Sequence, residues 1–303
     1  CLVGSEMCIR DRQITWLQTE YKVNEVLNMA VAKFKAAGVA QPINDARILL
    51  GHSLNKPNER FYGREEDLIK SEHLDDFNSK ILRRCKREPV SKIIGLKEFW
   101  SLELLVSPYV LDPRPDSETL IEAARKQFPD KKRLLNILDL GTGSGCLLLA
   151  ALLEWPHSYG LGIDIDSRCI EIAKKNARRN DLNNRVRFQT GNWASNLDEK
   201  FDIILCNPPY IPANEIAKLD EEVRLYEPEI ALNGGQTGLD CYTELAAQFS
   251  NLLSADGLIF LEIGSGQKKP ILGIMKSNNL ELIKIEKDLA QIDRCLILSH
   301  KHC

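Results

Sequence analysis

Hydrophobic residues recur every three to four positions through the first part of the chain, which is the spacing of one helix face. One such stripe runs from Val23 to Phe34, a second follows Pro42, and a third ends near Cys85. Proline and glycine residues separate the stripes, as expected between short helices. The pattern therefore predicts a small helical domain over residues 13–88.

The pattern changes after Pro89. Residues 98–106 alternate between apolar and polar side chains, which predicts an extended linker or hairpin within residues 89–112. From Leu134 onward, short apolar runs alternate with helical stripes. The runs that predict strands are LLNILDL, SYGLGID, RVRFQT, FDIILC, GLIFLEI, LELIKIE and RCLILS. Such alternation predicts an α/β domain over residues 113–303, with a doubly wound, mostly parallel seven-stranded sheet.

The third predicted helix starts acidic and ends basic. Acidic residues gather in residues 65–76 and basic residues in residues 80–87. Acidic side chains at the start of a helix and basic ones at its end complement the helix dipole. The same basic end would suit an acidic or RNA-bound partner, and the pattern leaves both interpretations open.

Composition narrows the class of protein. The 303 residues carry a net charge of −3 and are 44% hydrophobic, as in an ordinary soluble protein, so we expect no general affinity for nucleic acid or anionic membranes. The longest apolar run, Cys146–Leu153, is too short to span a bilayer. Nine cysteines without Cys-x-x-Cys spacing predict a reduced, cytoplasmic protein with no metal site.

Residues 1–12 lack periodicity and an initiator Met, and we interpret them as a non-native scar.

A glycine-rich turn follows the first strand of the predicted sheet. It consists of Gly141, Thr142, Gly143, Ser144 and Gly145. This Gly-x-Gly-x-Gly spacing after an acidic residue differs from the dinucleotide fingerprint and favours S-adenosylmethionine, whose sulfonium needs no phosphate cradle. Asp164, at the end of the second strand, suits the ribose hydroxyls of either ligand. Trp193 is either an adenine-stacking ring or part of the core.

The tetrapeptide Asn207-Pro208-Pro209-Tyr210 follows the strand FDIILC, at the edge where open α/β sheets bind ligands. The two prolines fix φ and lack N–H groups, so the Pro208 carbonyl points in one direction. The Asn207 side-chain oxygen and this carbonyl form a rigid pair of acceptors for one planar –NH2 group. We therefore predict catalytic roles for Asn207, Pro208 and Tyr210. All four residues are predicted to contact the substrate, with the Tyr210 ring as a wall of the pocket.

These motifs resemble those of S-adenosylmethionine-dependent methyltransferases, and most closely the glutamine methyltransferases that modify peptide chain release factors. The segments that carry the closer resemblance are VLDPRPDSETLIE, YEPEIALNGGQTGLD and LEIGSGQ. The resemblance implies a class I methyltransferase fold, S-adenosylmethionine as methyl donor, and transfer to the glutamine of a Gly-Gly-Gln loop. It implies cofactor contacts at residues 141–145, Asp164, Trp193 and Asn207, with Arg114 and Glu118 near the cofactor entrance.

The resemblance also implies that the helical domain recognises the release factor, and we expect a monomer. Ser117 and Asp112 stand where Thr and Ile are commoner in this family. Alternative substrates are a large-subunit ribosomal protein and an exocyclic amine of DNA or RNA. A non-catalytic cofactor-binding module and an NAD oxidoreductase are weaker alternatives. The chain contains its own Gly-Gly-Gln at residues 234–236, which raises the further possibility of a release factor.

Overall fold

The computed structural model describes residues 18–195 and 197–301. The scar predicted over residues 1–12 lies outside these described residues. The chain divides into two compact units. One contains the described residues up to Gly95 together with Glu221–Tyr226, and the other contains the rest of the described chain. The first unit is therefore assembled from two separate stretches of sequence.

The first unit is mainly helical, as the periodicity predicts. Its helices are α1 (Val23–Ala36), α2 (Pro42–Ser53), α3 (Leu74–Cys85) and α4 (Val90–Ile94), with a one-turn helix at Glu221–Arg224. Their apolar faces, including Phe34, Leu49 and Phe77, form one buried cluster. Two strands, β1 (Glu20–Lys22) and β2 (Leu68–Lys70), pair antiparallel beside the helices. Three residues per strand are too few to show a sequence period, so this pair was not predicted.

The acidic start predicted for the third helix is wrong in part. Helix α3 begins at Leu74, so the acidic residues of 65–72 precede it. The carbonyls of Glu65 and Asp67 accept hydrogen bonds from the backbone N–H groups of Asn24 and Val23. These carbonyls satisfy donors at the start of α1, which have no partner within their own helix. These hydrogen bonds hold residues 65–67 against the start of α1, outside helix α3.

The basic end of α3 takes part in ion pairs inside the first unit. The Arg84 guanidinium is buried and donates to Asp45 at 2.8 Å and to Glu222 at 2.9 Å. Arg87 also donates to Glu222, at 3.1 Å. A buried guanidinium requires such partners because an unpaired buried charge is strongly unfavourable. Arg84 and Arg87 thus bind Glu222 of the chain's own Glu221–Tyr226 stretch.

The second unit begins with the predicted hairpin. Its strands are β3 (Leu96–Phe99) and β4 (Leu102–Leu105), paired antiparallel. Trp100 and Ser101 form the two-residue turn with φ of 51° and 71°. Positive φ at both positions matches the right-handed twist of the strands, although glycine or asparagine is usual there.

A seven-stranded sheet forms the centre of the second unit. Its strands are β5 (Asn136–Leu140), β6 (Tyr159–Asp164), β7 (Val186–Thr190), β8 (Phe201–Cys206), β9 (Leu253–Glu262), β10 (Leu280–Lys287) and β11 (Asp293–His300). The spatial order is β10-β11-β9-β8-β5-β6-β7. Strands β5 to β9 run parallel, and β11 runs antiparallel to both of its neighbours. The predicted mostly parallel sheet of seven strands is confirmed.

Helices cover both faces of this sheet. They are α5 (Glu118–Gln127), α6 (Cys146–Glu154), α7 (Ser167–Arg179), α8 (Asp240–Leu252) and α9 (Lys268–Ser277), with a one-turn helix at Ala213–Ile216. Successive strand residues point to opposite faces. Ile137 accordingly packs with residues of α5 and α6, whereas Leu138 packs with residues of α8 and α9. Strands β5, β8 and β11 are buried on both faces, which explains why they read as nearly continuous apolar runs, whereas the edge strands β7 and β10 are largely exposed and more polar.

The long apolar run from Cys146 lies mainly in helix α6, where every residue from Leu147 to Leu152 is buried. Within residues 18–195 and 197–301, no helix is long and apolar enough to cross a membrane. The same residues contain no group of three or more His, Cys, Asp or Glu side chains placed to hold a metal ion. The predicted absence of a metal stays a prediction.

Candidate active site

The glycine turn connects β5 to α6 at the carboxyl edge of the sheet. Gly141, Gly143 and Gly145 have φ of 73°, 55° and 83°, a region that side chains with a Cβ rarely adopt. A Cβ on Gly141 would lie 3.3 Å from Cζ3 of the Trp193 ring. The turn therefore needs glycine both for its backbone conformation and for the close approach of this ring.

Trp193 has its own unusual backbone, with φ of 49°. A bulky residue with positive φ is an outlier that needs support from its surroundings. Its ring is half-buried, packs against the apolar core and lines the cavity described below. The sequence left a core role and a ligand role open for Trp193, and its position is compatible with both.

Asp164 ends strand β6 beside the glycine turn. Its two carboxylate oxygens accept hydrogen bonds from the N–H groups of Gly143 at 2.8 Å and Asp166 at 2.9 Å. Burial raises the pKa of Asp164, and these two hydrogen bonds act in the opposite direction. Each carboxylate oxygen can accept more than one hydrogen bond. The carboxylate is thus held by the backbone and still has capacity to accept hydroxyl donors.

A cavity of about 230 Å³ lies at this edge of the sheet. The predicted site residues that line it are Gly141, Gly143, Asp164, Trp193, Asn207 and Pro209. The register explains why they meet, since Leu140 of β5 pairs with Ile163 of β6 on one side and Cys206 of β8 on the other. The glycine turn, the acidic residue and the Asn-Pro-Pro-Tyr motif therefore surround one space.

Five predicted residues do not line this cavity. They are Thr142, Ser144, Gly145, Pro208 and Tyr210. The buried Thr142 hydroxyl donates to Asp139 at 2.6 Å, beneath the turn. A Cβ on Gly145 would approach Ala173 and Leu149, so this glycine allows the turn to pack closely against helices. Ligand contacts of these five residues stay predictions.

The Asn207 side chain is held from behind by two buried groups. Its Nδ2 donates to the Ser117 hydroxyl at 3.1 Å, and that hydroxyl donates to Glu262 at 2.6 Å. Ser117 and Glu262 are 3% and 1% exposed, so this connection is shielded from water. Burial raises the pKa of Glu262 to about 7, opposed by its hydrogen bond to Ser117 and by the Arg294 charge.

The backbone of Pro209 and Tyr210 packs against the glycine-rich segment that follows the EPEIAL sequence. A Cβ on Gly234 would lie 2.7 Å from the Pro209 carbonyl oxygen. Gln267 donates from Nε2 to the Tyr210 carbonyl at 2.8 Å, which fixes the end of the motif. The chain's own Gly-Gly-Gln segment therefore has a packing role, because Gly234 allows this close approach and Gly235 leaves room for the Asp240 side chain.

Arg114 and Glu118, expected near a cofactor entrance, do not line the cavity. Arg114 donates to the buried Glu227 at 2.6 Å, and the Asp112 N–H donates to the same carboxylate at 3.1 Å. Glu118 accepts a hydrogen bond from the Trp100 N–H beside the hairpin. The Arg114 contact joins the PRPDSE and EPEIAL segments, and Ile230 and Asn233 of the latter region line the cavity.

Sequence reasoning did not identify Ser117, Glu227 or Glu262 as part of this arrangement. Glu262 did have a recognisable signal, since it is a single carboxylate within the apolar run GLIFLEI. A glutamate is rarely fully buried unless its carboxylate is paired with another polar group. Tyr109 and Asn192 also line the cavity but lie in loops, and Ile230 lines it from a one-turn 3₁₀ helix at Glu229–Ala231; none of the three belongs to a periodic pattern. No signal in the sequence alone places those loops at the site.

Two family models match the chain. One describes the PrmC N-terminal domain and matches residues 25–95, and the other describes the methyltransferase small domain and matches residues 114–222. A release factor glutamine methyltransferase of Rhodospirillum rubrum is 41% identical over 91% of this chain and 84% of the relative. A release factor glutamine methyltransferase of Caulobacter vibrioides is 38% identical over 88% of this chain and 92% of the relative.

Among solved structures, the hMettl16 catalytic domain in complex with the MAT2A 3′UTR hairpin 6 resembles this chain. It has a TM-score of 0.53 at 15% identity and covers 76% of this chain and 83% of that one. At this identity the likeness concerns the fold alone, and it agrees with the observed methyltransferase sheet.

Proposed function

The chain belongs to the release factor glutamine methyltransferase family, and from this premise we propose its substrate atom and its methyl donor. The proposed reaction transfers a methyl group from S-adenosylmethionine to the side-chain amide nitrogen of the glutamine in a Gly-Gly-Gln loop. The product is N5-methylglutamine in a peptide chain release factor. One observation carries the proposal: Asn207 lines the same cavity as Gly141, Gly143 and Asp164.

The residues around the cavity fit S-adenosylmethionine. Asp164 retains acceptor capacity for ribose hydroxyls, and Gly141 and Gly143 allow a ligand to approach the backbone. The Trp193 ring offers an aromatic surface for adenine. In the described part of the chain the lining contains Asp164 and Asp166 and no Lys, Arg or His. An acidic lining suits a cationic ligand and does not suit the pyrophosphate of NAD.

When bound, S-adenosylmethionine supplies a methyl group on a sulfonium centre, and the carbon–sulfur bond breaks as the new carbon–nitrogen bond forms. An amide nitrogen is a poor nucleophile because its lone pair is delocalised. Asn207 Oδ1 and the Pro208 carbonyl would accept its two N–H groups and hold the nitrogen in place. Orientation of this kind contributes at most on the order of 7–11 kcal/mol to the lowering of the barrier.

The same two acceptors favour the positive charge that develops on the attacking nitrogen. One amide proton is then lost, and we propose water as its acceptor. The Tyr210 ring remains our proposed wall of the glutamine pocket, where a cation–π contact to the methyl group would contribute about 0.5–2 kcal/mol.

We further propose that the helical unit recognises the release factor, and that the enzyme acts as a cytoplasmic monomer.

Methyl transfer to a purified release factor tests this proposal. The assay uses radiolabelled S-adenosylmethionine and compares the intact Gly-Gly-Gln loop with a loop whose glutamine is replaced by alanine. We expect label on the intact protein alone and a loss of about 1,000-fold or more in turnover for Asn207→Ala, since this residue would hold the reacting atom.

Two results would contradict the proposal. Near-normal turnover of Asn207→Ala would remove Asn207 from the mechanism. Label on a ribosomal protein or on nucleic acid, with none on the release factor, would assign the chemistry to a different substrate. Asp202→Asn serves as a control, because Asp202 makes comparable hydrogen bonds to Asn136 and Ser254 near the other end of β8.

A further inference from the structure

An asparagine side chain has an oxygen and a nitrogen of nearly equal size at its two ends. Rotation by half a turn therefore exchanges a hydrogen-bond acceptor for a donor without changing the shape of the site. The glutamine –NH2 group of the substrate can only donate. Asn207 is useful in the proposed reaction only if its oxygen faces the cavity, so some feature of the protein must select that orientation.

The hydrogen bonds behind Asn207 have a direction. A serine hydroxyl has one hydrogen to donate, and Ser117 gives it to Glu262 at 2.6 Å. The Ser117 oxygen is then left as an acceptor, and Asn207 Nδ2 donates to it at 3.1 Å. If the amide were reversed, Asn207 Oδ1 would face the Ser117 oxygen with no hydrogen between them. The contact with Ser117 therefore favours one of the two amide orientations.

The direction originates at Glu262. At pH 8, above its pKa of about 7, Glu262 is ionised, and an ionised carboxylate accepts hydrogen bonds and donates none. Glu262 ends strand β9 next to β8, and Cys206 of β8 pairs with the preceding residue, Leu261. The Tyr210 hydroxyl donates to the second oxygen of Glu262 at 3.4 Å. Among the described residues, Asn207 Oδ1 takes part in no hydrogen bond with the protein, which leaves it available to a substrate.

We infer that Ser117 and Glu262 are positioning residues that set the polarity of the Asn207 amide, so that its oxygen faces the substrate nitrogen. This inference rests on the proposed function, because it concerns the acceptor that the proposed mechanism needs. Neither residue touches the reacting atoms. Their effect is transmitted through a directed pair of hydrogen bonds, Asn207 to Ser117 and Ser117 to Glu262.

The kinetic test compares Ser117→Ala with Ser117→Thr, which restores the hydroxyl. Turnover of Ser117→Ala on purified release factor should fall about 10- to 100-fold, the effect expected when the hydrogen bond that orients a reacting group is lost. The dissociation constant of S-adenosylhomocysteine and the KM for the release factor should change by less than about threefold, because uniform binding is unaffected. Ser117→Thr should recover most of the turnover.

Ser158→Ala is the matched control. Ser158 is a fully buried serine of the same unit, and its hydroxyl accepts from the Leu135 N–H and donates to the Arg133 carbonyl. Its removal should leave turnover unchanged. In a double-mutant cycle, Ser117→Ala should add no further loss to Asn207→Ala, since Ser117 is inferred to act only through Asn207.

A second measurement does not depend on activity. In protein labelled with ¹⁵N-asparagine, the Asn207 side-chain amide signal is assigned by its disappearance in Asn207→Ala. One Nδ2 proton should shift towards the position of a free amide in Ser117→Ala and stay in place in Ser117→Thr. Glu262→Gln, which can donate to Ser117 and release its hydroxyl, should also shift this signal and lower turnover.

The outcomes separate the two proposals. Normal turnover of Asn207→Ala would overturn the proposed function. Loss of turnover in Asn207→Ala together with normal turnover and an unchanged amide signal in Ser117→Ala would overturn the polarity inference alone. Multiplicative losses in the double variant would also overturn it, because Ser117 would then act independently of Asn207. If Ser117→Ala does not fold, Glu262→Gln gives the same decision: normal turnover with an unchanged Asn207 signal overturns the inference.

Discussion

Arg114 donates a hydrogen bond to Glu227 at 2.6 Å, across 113 positions of sequence. The Glu227 side chain is 1% exposed, whereas Arg114 is 38% exposed, so the contact brings a partly solvated cation to a buried carboxylate. Ile230, Ala231 and Asn233, which line the cavity, follow Glu227 closely in the chain. The ion pair therefore fixes the start of the loop that forms one wall of the site.

We expect Arg114→Met to lower the free energy of unfolding by about 2 kcal/mol, because Glu227 would lose a charged partner while remaining buried. Chemical denaturation measures this change, and calorimetry with S-adenosylhomocysteine should show weaker binding. Arg187→Met is the control, since its ion pair with Glu199 is exposed and should contribute less than about 0.5 kcal/mol. Equal losses in the two variants would contradict a structural role for the Arg114 contact.

Asp164→Ala should weaken binding of S-adenosylhomocysteine about 10- to 100-fold, because the ribose hydroxyls would lose a carboxylate acceptor. The Gly143 N–H would also lose its acceptor, so the turn itself should loosen. Isothermal titration calorimetry measures the dissociation constant. Asp202→Asn, at the amino end of β8, should leave it unchanged. Unaltered affinity in Asp164→Ala would exclude this carboxylate from the cofactor site.

Gly238→Ala should reduce methyl transfer strongly. Gly238 has φ of 75°, and an added Cβ would meet the Tyr210 carbonyl oxygen and Gln267 Nε2. Gly266 has nearly the same φ, 79°, with nothing within 4 Å of an added Cβ. Both variants carry the backbone strain of about 1 kcal/mol, and only Gly238→Ala should displace the Asn-Pro-Pro-Tyr turn. Comparable turnover in the two variants would show that the contact is dispensable.

Glu262 should make the stability of the protein depend on pH. Burial raises the pKa of Glu262 to about 7 from 4.5, so the folded chain holds a proton on this carboxyl between these values and the unfolded chain does not. Stability contributed by the group is therefore lost as pH rises through this window. At pH 8, Glu262→Gln should be more stable than the parent chain by about 3 kcal/mol, and at pH 4.5 or below the difference should be small.

Unfolding by urea at several pH values measures this difference. Other charged and titratable groups face Glu262 and are shared by both chains: Asp116, Arg294, Tyr210, Tyr242, Cys146, Cys206 and Cys295. Their contributions largely cancel in the comparison. A difference independent of pH, or a Glu262→Gln variant that is less stable at pH 8, would contradict the raised pKa.

The central strands of the sheet were predictable because each contains an apolar run bounded by turn residues, and a strand buried on both faces must read that way. The glycine turn and Asn207 were predictable because their chemistry is local in sequence. Ser117 and Glu262 were not, since the hydrogen bond between them joins positions 145 residues apart. Sequence periodicity reports which face of an element is buried, and it does not report which polar groups from two elements meet.

The helical unit also contains long-range contacts that sequence periodicity does not predict. The charge pattern places Glu65 and Asp67 in the acidic start of the third helix, yet their carbonyls accept hydrogen bonds from the start of α1. Glu222 lies in a stretch with no periodic signal, and its role follows from Arg84 and Arg87. A long-range ion pair produces no periodic pattern in either of the two segments that it joins.

Because Glu221–Tyr226 belongs to the helical unit, that unit cannot be obtained intact by cutting the chain once. A fragment ending at Gly95 would contain Arg84 and Asp45 without Glu222. An exchange of helical domains between related enzymes faces the same difficulty, since the six residues that complete the domain are encoded more than a hundred positions downstream of it. The helical unit is built from two separate segments of the chain, and a chimera joined only at Gly95 would separate them.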